Sequence, residues 1–251
     1  MISLRNVYKS FGKNEVLKDI SVDFEAGKTN LVIGRSGSGK TVLLKSIVSL
    51  YGVDSGSIKY VDQDITKMDF TAIRELRKEV GMLFQGGALF DSMTVLENII
   101  FPLNFFSTMT KKEKVKRVDF CLDRVDLQGV DNLYPGELSG GMSKRVAIAR
   151  AIALNPKYLF CDEPNSGLDP LTSIVIDKLI SEITKEFNMT TIINTHDMNS
   201  VMEIGEKIVF ISEGRKCWEG EKESIFTSDN EELNNFVFAS ELYKQIKNDK
   251  K

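Results

Sequence analysis

The stretch TNLVIGRSGSGKTVLLKSIVSL (29–50) constrains the fold more than any other part of the chain. It opens with a continuous apolar run ending in glycine, the pattern of a strand buried on both faces. GRSGSGKT (34–41) then fills G-x-x-x-x-G-K-[ST] at every defined position, and TVLLKSIVSL follows with helical spacing. A chance glycine-rich turn would not need this strand–loop–helix context. In a phosphate-binding loop, Gly37 and Gly39 let backbone N–H groups curl around phosphate oxygens, and the helix N-terminus adds partial positive charge. Gly34, Ser36 and Ser38 complete that cradle. Lys40 is expected to reach the β and γ phosphates of a nucleotide, and the Thr41 hydroxyl to take one Mg²⁺ position.

Runs of the same kind return at VGMLF (80–84), KYLFCD (157–162), TTIIN (190–194) and KIVFIS (207–212), mostly with helical patterns between them. This alternation predicts an α/β fold, a P-loop NTPase core with a largely parallel central sheet. Residues 2–8 and 16–24 mix period-2 alternation with polar interruptions, which predicts half-exposed strands of an N-terminal antiparallel β subdomain. Between Gln85 and Ala153 no strand pattern occurs. Thr94 with Glu97 and Thr110 with Glu113 are capping-box pairs, and Val115, Val118, Leu122 and Val125 share one helical face. A helical insertion subdomain is therefore expected over 86–153, between core segments 1–85 and 154–220. Residues 221–251 read as a charged C-terminal helical extension anchored by Phe236, Phe238 and Tyr243.

Composition narrows the function classes. The 251 residues are 42% hydrophobic and 27% charged with a net charge of -3, so no overall basic field is available to hold nucleic acid. Cys121, Cys161 and Cys217 are far apart and odd in number, which suits free thiols in a reducing compartment. No apolar run approaches the roughly 20 residues that span a bilayer. MISLRNVYKSFG lacks a secretory apolar core. A cytoplasmic chain is expected, free to sit against a membrane protein.

Four further features carry chemistry. In YLFCDEP (158–164) a buried strand presents Asp162 and Glu163 at its end. Downstream of a P-loop, such a pair suits Mg²⁺ binding by Asp162 and activation of the attacking water by Glu163. His196, the sole histidine, follows another strand, on the edge where a nucleotide lies in such a sheet. It is expected to contact the γ-phosphate. Gln85 ends VGMLFQ, where it can reach Mg²⁺ or the attacking water. Finally, Ser139-Gly140-Gly141 precedes a helix with Met142, Val146, Ala149 and Ala153 on one face. A serine N-cap explains the serine, whereas bare amides behind two glycines also form an anion site. Such a second phosphate site is of most use facing the P-loop of another molecule.

GRSGSGKT, Gln85, LSGGM (138–142), YLFCDEP, SGLD (166–169) and His196, in this order across nearly the whole chain, resemble the nucleotide-binding subunit of an ABC transporter. The resemblance implies the ABC ATPase fold and ATP hydrolysis with Mg²⁺ in a head-to-tail dimer. Each ATP would lie between the P-loop of one subunit and Ser139, Gly140 and Gly141 of the other, with Ser166 to Asp169 crossing between them. Phe11 matches the adenine-stacking aromatic. The implied partners are a second copy of the chain and membrane permease subunits at the cytoplasmic face of the inner membrane. The stretch FPLNFF (101–106) would either line the docking groove or form plain core.

More narrowly, GMLFQGGALFDSMTVLENIIFPL (81–103) and LSGGM resemble the ATPase of Mla-type phospholipid transporters, in which methionine replaces the usual glutamine after LSGG. This implies lipid transport and an MCE-domain lipid-binding partner. The nearest alternative is the ATPase of an importer for a small polar solute such as an amino acid. Soluble ABC ATPases of DNA repair carry long coiled-coil insertions, and 42–137 holds no such heptads. A regulator without turnover fits poorly with Glu163 and His196 both in place.

Overall fold

The computed structural model describes residues 1–239. Strands β1 (Ile2–Phe11) and β2 (Asn14–Phe24) form an antiparallel hairpin, and β3 (Thr29–Ile33) leads to helix α1 (Lys40–Ile47). β4 (Ser55–Tyr60), β5 (Gln63–Asp64), α2 (Phe70–Arg77) and β6 (Val80–Leu83) follow. Three helices come next: α3 (Val95–Phe106), α4 (Lys111–Arg124) and α5 (Gly140–Ile152). The chain then runs through β7 (Tyr158–Asp162), α6 (Pro170–Glu186), β8 (Thr190–Thr195), α7 (Met198–Ile204), β9 (Lys207–Ser212) and β10 (Arg215–Gly220). Helices α8 (Lys222–Thr227) and α9 (Glu231–Val237) end the described part. The anchor expected at Tyr243 lies outside the described residues.

Two sheets result. One is antiparallel, in the order β2-β1-β4-β5. The other has the order β10-β9-β3-β8-β7-β6 and is parallel throughout except at the β9–β10 edge. The expected P-loop α/β class with an N-terminal antiparallel sheet is therefore the observed one. Elements absent from the sequence reading are β4, β5, α2 and β10. SGSIKY and RKCWEG are short, polar-rich strands with half-exposed faces, so they lack the unbroken apolar run that marks the central ones.

The central sheet is buried on both faces, and alternate residues feed two cores. Leu31, Ile33, Leu159, Cys161 and Ile193 enter the helical side, packed with α3 to α7. Val32, Phe160 and Ile192 enter the other, against α1 and the antiparallel sheet. This rigid centre fixes the strand ends: β3 pairs with β8 through Ile33 and Thr195, and β8 with β7 through Asn194 and Asp162.

Both predicted capping boxes form, at Thr94–Glu97 and Thr110–Glu113. Within α3, Asn98 is fully buried and ties down the preceding loop. Its amide nitrogen donates to the carbonyls of Phe90, Met93 and Thr94 at 3.0–3.1 Å, and its oxygen accepts from Phe90 N at 2.8 Å. The face this loop supports is aromatic: Phe90, Phe101, Phe105 and Phe106 follow one another at centroid distances of 4.8, 4.9 and 6.4 Å. Phe105 is 64% exposed.

Candidate active site

After Ile33 the chain turns through Gly34–Gly39 into α1. Gly39 adopts φ 104, and a Cβ there would stand 2.9 Å from the Val16 carbonyl oxygen, so conformation and space both demand glycine. Lys40, only 5% exposed, folds back and donates to the carbonyls of Gly34 at 2.9 Å and Arg35 at 3.0 Å. Burial lowers its pKa, while the carboxylates of Glu163 and Asp162 work in the opposite direction.

The loop borders a cavity of about 570 Å³. Ser36, Gly37, Lys40 and Thr41 form one wall, and Gln85, Glu163 and His196 form the other. The ends of β3, β6, β7 and β8 thus bring the expected catalytic groups to one edge of the sheet, the place where ligands bind in open α/β sheets. Val16 and Phe236 also line the space. Phe236 comes from α9 and packs on Phe210 at 5.4 Å between ring centroids.

Thr41 Oγ1 donates to Asp162 Oδ1 at 3.1 Å, and Asn194 Nδ2 donates to the same oxygen at 3.2 Å. A hydroxyl and a carboxylate converging in this way suit a hard, oxygen-seeking cation such as Mg²⁺. Ser38 Oγ and Asn194 Oδ1 are buried without hydrogen-bond partners, a polar surplus in keeping with a site for a phosphate and a hydrated ion. Gln85 Nε2 donates to Ser166 Oγ at 3.2 Å, which links the turn after β6 to the turn after β7.

Glu163 and His196 meet directly, with Glu163 Oε2 2.7 Å from His196 Nδ1. Glu163 has φ 51, a left-handed conformation that costs a residue other than glycine of order 1 kcal/mol or more. Neighbouring bonds hold it: Glu163 N donates to the Asn194 carbonyl at 3.0 Å and Ser166 N to the Glu163 carbonyl at 3.1 Å.

Ser139, Gly140 and Gly141 lie elsewhere. They line a separate cavity of about 430 Å³ with Leu168, Asp169 and Thr172, and no described residue lines both this cavity and the P-loop one. Ser139 caps α5, accepting from Met142 N at 3.2 Å. Gly141 is required for packing, because a Cβ there would come within 2.7 Å of the Thr172 methyl carbon. Asp169 caps α6, its carboxylate accepting from Thr172 N at 3.0 Å and Thr172 Oγ1 at 2.5 Å. Phe11 is 45% exposed and lies outside the P-loop cavity wall, its ring edge-on to Tyr51 at 5.3 Å.

Sequence reasoning missed two cations of α5. Lys144, 7% exposed, donates to the Gln85 carbonyl, and burial lowers its pKa. Arg150 donates to the carbonyls of Gly87 and Ala88, both at 2.8 Å. Together they strap the Gln85 turn to the helix that follows Ser139. The available signal was that Arg150 sits inside the apolar run VAIARAI (146–152), whereas Lys144, beside Ser143 and Arg145, carries no such mark.

A family profile described as ABC transporter matches residues 17–166. The methionine import ATP-binding protein MetN of Clostridium tetani is 39% identical over 242 residues, which cover 96% of this chain and 76% of that protein. The probable ribonucleotide transport ATP-binding protein mkl of Mycobacterium leprae is 35% identical, over 94% of this chain and 68% of its own length. Among solved structures, the dimeric bacterial ABC transporter cassette MJ0796 superposes with a TM-score of 0.81 at 32% identity, covering 88% of this chain and 99% of that one.

Proposed function

The chain belongs to the ABC transporter family and is an ATP-hydrolysing transport ATPase; from this premise we propose how its residues divide the work. The observation that carries the reading is the Glu163–His196 pair, 2.7 Å apart on the wall facing Lys40 across the P-loop cavity. ATP lies along that loop, with Lys40 and the loop amides on its phosphates. Thr41, Asp162 and Gln85 would hold Mg²⁺, which would supply neutralisation of phosphate charge. Glu163 takes a proton from the attacking water, and His196 orients Glu163 and contacts the γ-phosphate.

The second half of each site comes from another copy of the chain. The separation of the Ser139–Gly141 turn from the P-loop supports this, as does the dimeric state of the MJ0796 cassette. Ser139 and Gly141 of one subunit, with the segment ending at Asp169, close on the ATP of the other, and hydrolysis reopens the pair. Phe11 stacks on adenine. The aromatic face of Phe90, Phe101 and Phe105 receives membrane permease subunits, which places the chain at the cytoplasmic face of the membrane. No helix among the described residues is long and apolar enough to cross it.

For the cargo we propose a small polar solute such as an amino acid, carried inward. The methionine-import ATPases, 39% identical over 96% of the chain, favour this over lipid transport. One observation favours the phospholipid reading with an MCE-domain partner, namely Met142 where glutamine is usual after LSGG. Purification of the complex from native membranes separates the two. A co-purifying solute-binding protein supports the importer, and an MCE-domain protein replaces it with the lipid transporter. For the catalytic assignment, Glu163→Gln should retain ATP in a stable dimer without turnover, and wild-type turnover in that variant would overturn it.

A further inference from the structure

Behind the Glu163 turn lies a cavity of about 520 Å³, bounded by Glu163, Asn165, Asp177, His196 and Asp197 among others. Its inner wall is the contact between α6 and α7. Ile176, Ile180, Val201 and Ile204 bury apolar surface there, yet two polar residues lie among them. Asp177, in the middle of α6, is 2% exposed, and Ser200, in α7, is 1% exposed. Asn165, from the turn after β7, donates through Nδ2 to Ser200 Oγ at 3.1 Å. Both also lower the pKa of the Asp177 carboxyl, against the larger effect of its burial.

The cluster is incompletely satisfied. Asp177 Oδ1 and Asn165 Oδ1 are buried without partners. Burial pushes the Asp177 carboxyl up to about 6, with Asp197 and Glu203 adding in the same direction; Cys161 of β7 also feels its charge. A well-packed apolar contact would be more stable than a carboxylate placed here. Such groups persist where they serve a site.

The connections indicate what is served. Asn165 stands between Glu163 and Ser166, the residue that meets Gln85. Ser200 stands in the helix that follows His196 and is capped by Asp197. The Asn165–Ser200 bond therefore ties the turn of the catalytic carboxylate to the helix behind the histidine, and the buried Asp177 lines the same cavity as Asn165. Glu163 needs restraint of this kind, since a left-handed residue persists only when its surroundings over-determine it.

We propose that Asn165, Ser200 and Asp177 are positioning residues for hydrolysis, a latch that fixes the separation of the β7 turn and α7 and so seats Glu163 against His196. This rests on the reading of Glu163 and His196 as the pair that activates the attacking water. None of the three needs to touch ATP. Their loss should slow the chemical step and leave the P-loop contacts intact.

The test is ATP hydrolysis by the full chain carrying Ser200→Ala, Asn165→Ala or Asp177→Asn, with kcat, KM and thermal midpoint measured for each. The latch requires kcat to fall about tenfold or more while KM for ATP stays within about twofold. It also requires Asn165→Thr, which keeps a donor for Ser200, to retain most of kcat. The Asn165→Ala/Ser200→Ala double variant should be no slower than the slower single variant, because both remove one bond. A purely structural role would move the thermal midpoint and leave kcat per folded molecule unchanged, which overturns the proposal. Multiplicative losses in the double variant also overturn it. Should Ser200→Ala not fold, the near-isosteric Asp177→Asn decides alone. Wild-type turnover in Glu163→Gln would fell the underlying reading, whereas an inactive Glu163→Gln beside fully active latch variants would fell the latch only.

Discussion

His196 Nδ1 lies 2.7 Å from Glu163 Oε2, and the two residues follow the ends of the adjacent parallel strands β8 and β7. Neither is placed by a local motif. The pairing of Asp162 with Asn194 sets the two turns side by side. His196→Ala should therefore leave ATP binding near wild type while lowering kcat at least about 100-fold. Steady-state hydrolysis beside equilibrium binding of a fluorescent ATP analogue reads both quantities. A parallel loss of affinity would mean that the histidine acts chiefly by holding the γ-phosphate rather than by orienting Glu163.

Thr41 and Asp162 share one hydrogen bond at the proposed cation position. Thr41→Ala removes one of the three side-chain donors proposed there, so the Mg²⁺ concentration for half-maximal hydrolysis should rise about tenfold or more. Chelation of divalent metal should stop turnover in the wild type. A metal titration of ATPase rate checks both outcomes.

Gly141 is governed by volume. Its added Cβ would meet the Thr172 methyl at 2.7 Å, so Gly141→Ala should cost about 1–3 kcal/mol by overpacking. Thr172→Ser deletes that methyl and keeps the hydroxyl that binds Asp169. Combining the two should return most of the thermal midpoint. ATPase activity should remain low in both, because the turn that faces the partner's nucleotide has changed.

The sign of the Asp177 effect on stability follows from its raised pKa of about 6 against an ordinary 3.8. Between these values the folded chain holds the proton more firmly than the unfolded one. The stabilisation is complete below the unfolded value and is lost as pH rises through the folded one. Asp177→Asn should match the wild type near pH 4 and exceed it at pH 8 by up to about 3 kcal/mol. Denaturation at the two pH values decides it. Together with the latch proposal, this variant should be more stable and slower.

Asn98 has every buried polar atom engaged with the backbone of residues 90–94. Asn98→Ala would leave those groups unmet, at about 2–3 kcal/mol. It should also loosen Phe90 and weaken association with permease subunits. Chemical denaturation and co-purification measure the two effects separately.

What could be read in advance was set by distance along the chain. The P-loop was legible because strand, loop and helix are contiguous, and each glycine there has a local reason. The buried strands were legible from unbroken apolar runs. β4 was not, since SGSIKY acquires its place in the sheet largely by pairing with β1, which lies far upstream. Lys144 carries no local mark of its partner, the Gln85 carbonyl, which lies 59 residues upstream. Asn165, Asp177 and Ser200 belong to three elements, and nothing in any one of them announces the other two. Ser139 shows the opposite limit. Its N-cap role was local and visible, whereas its proposed role depends on a surface that one chain cannot supply.

That separation between the Ser139–Gly141 cavity and the P-loop cavity has a genetic consequence. In a head-to-tail pair, Lys40→Ala disables the nucleotide half of both composite sites, and Ser139→Ala disables the complementary half of both. Either homodimer is left without an intact site. A mixed dimer of the two variants gathers both lesions into one site and leaves the other wild type throughout. Two inactive alleles of this one chain should therefore complement each other in trans.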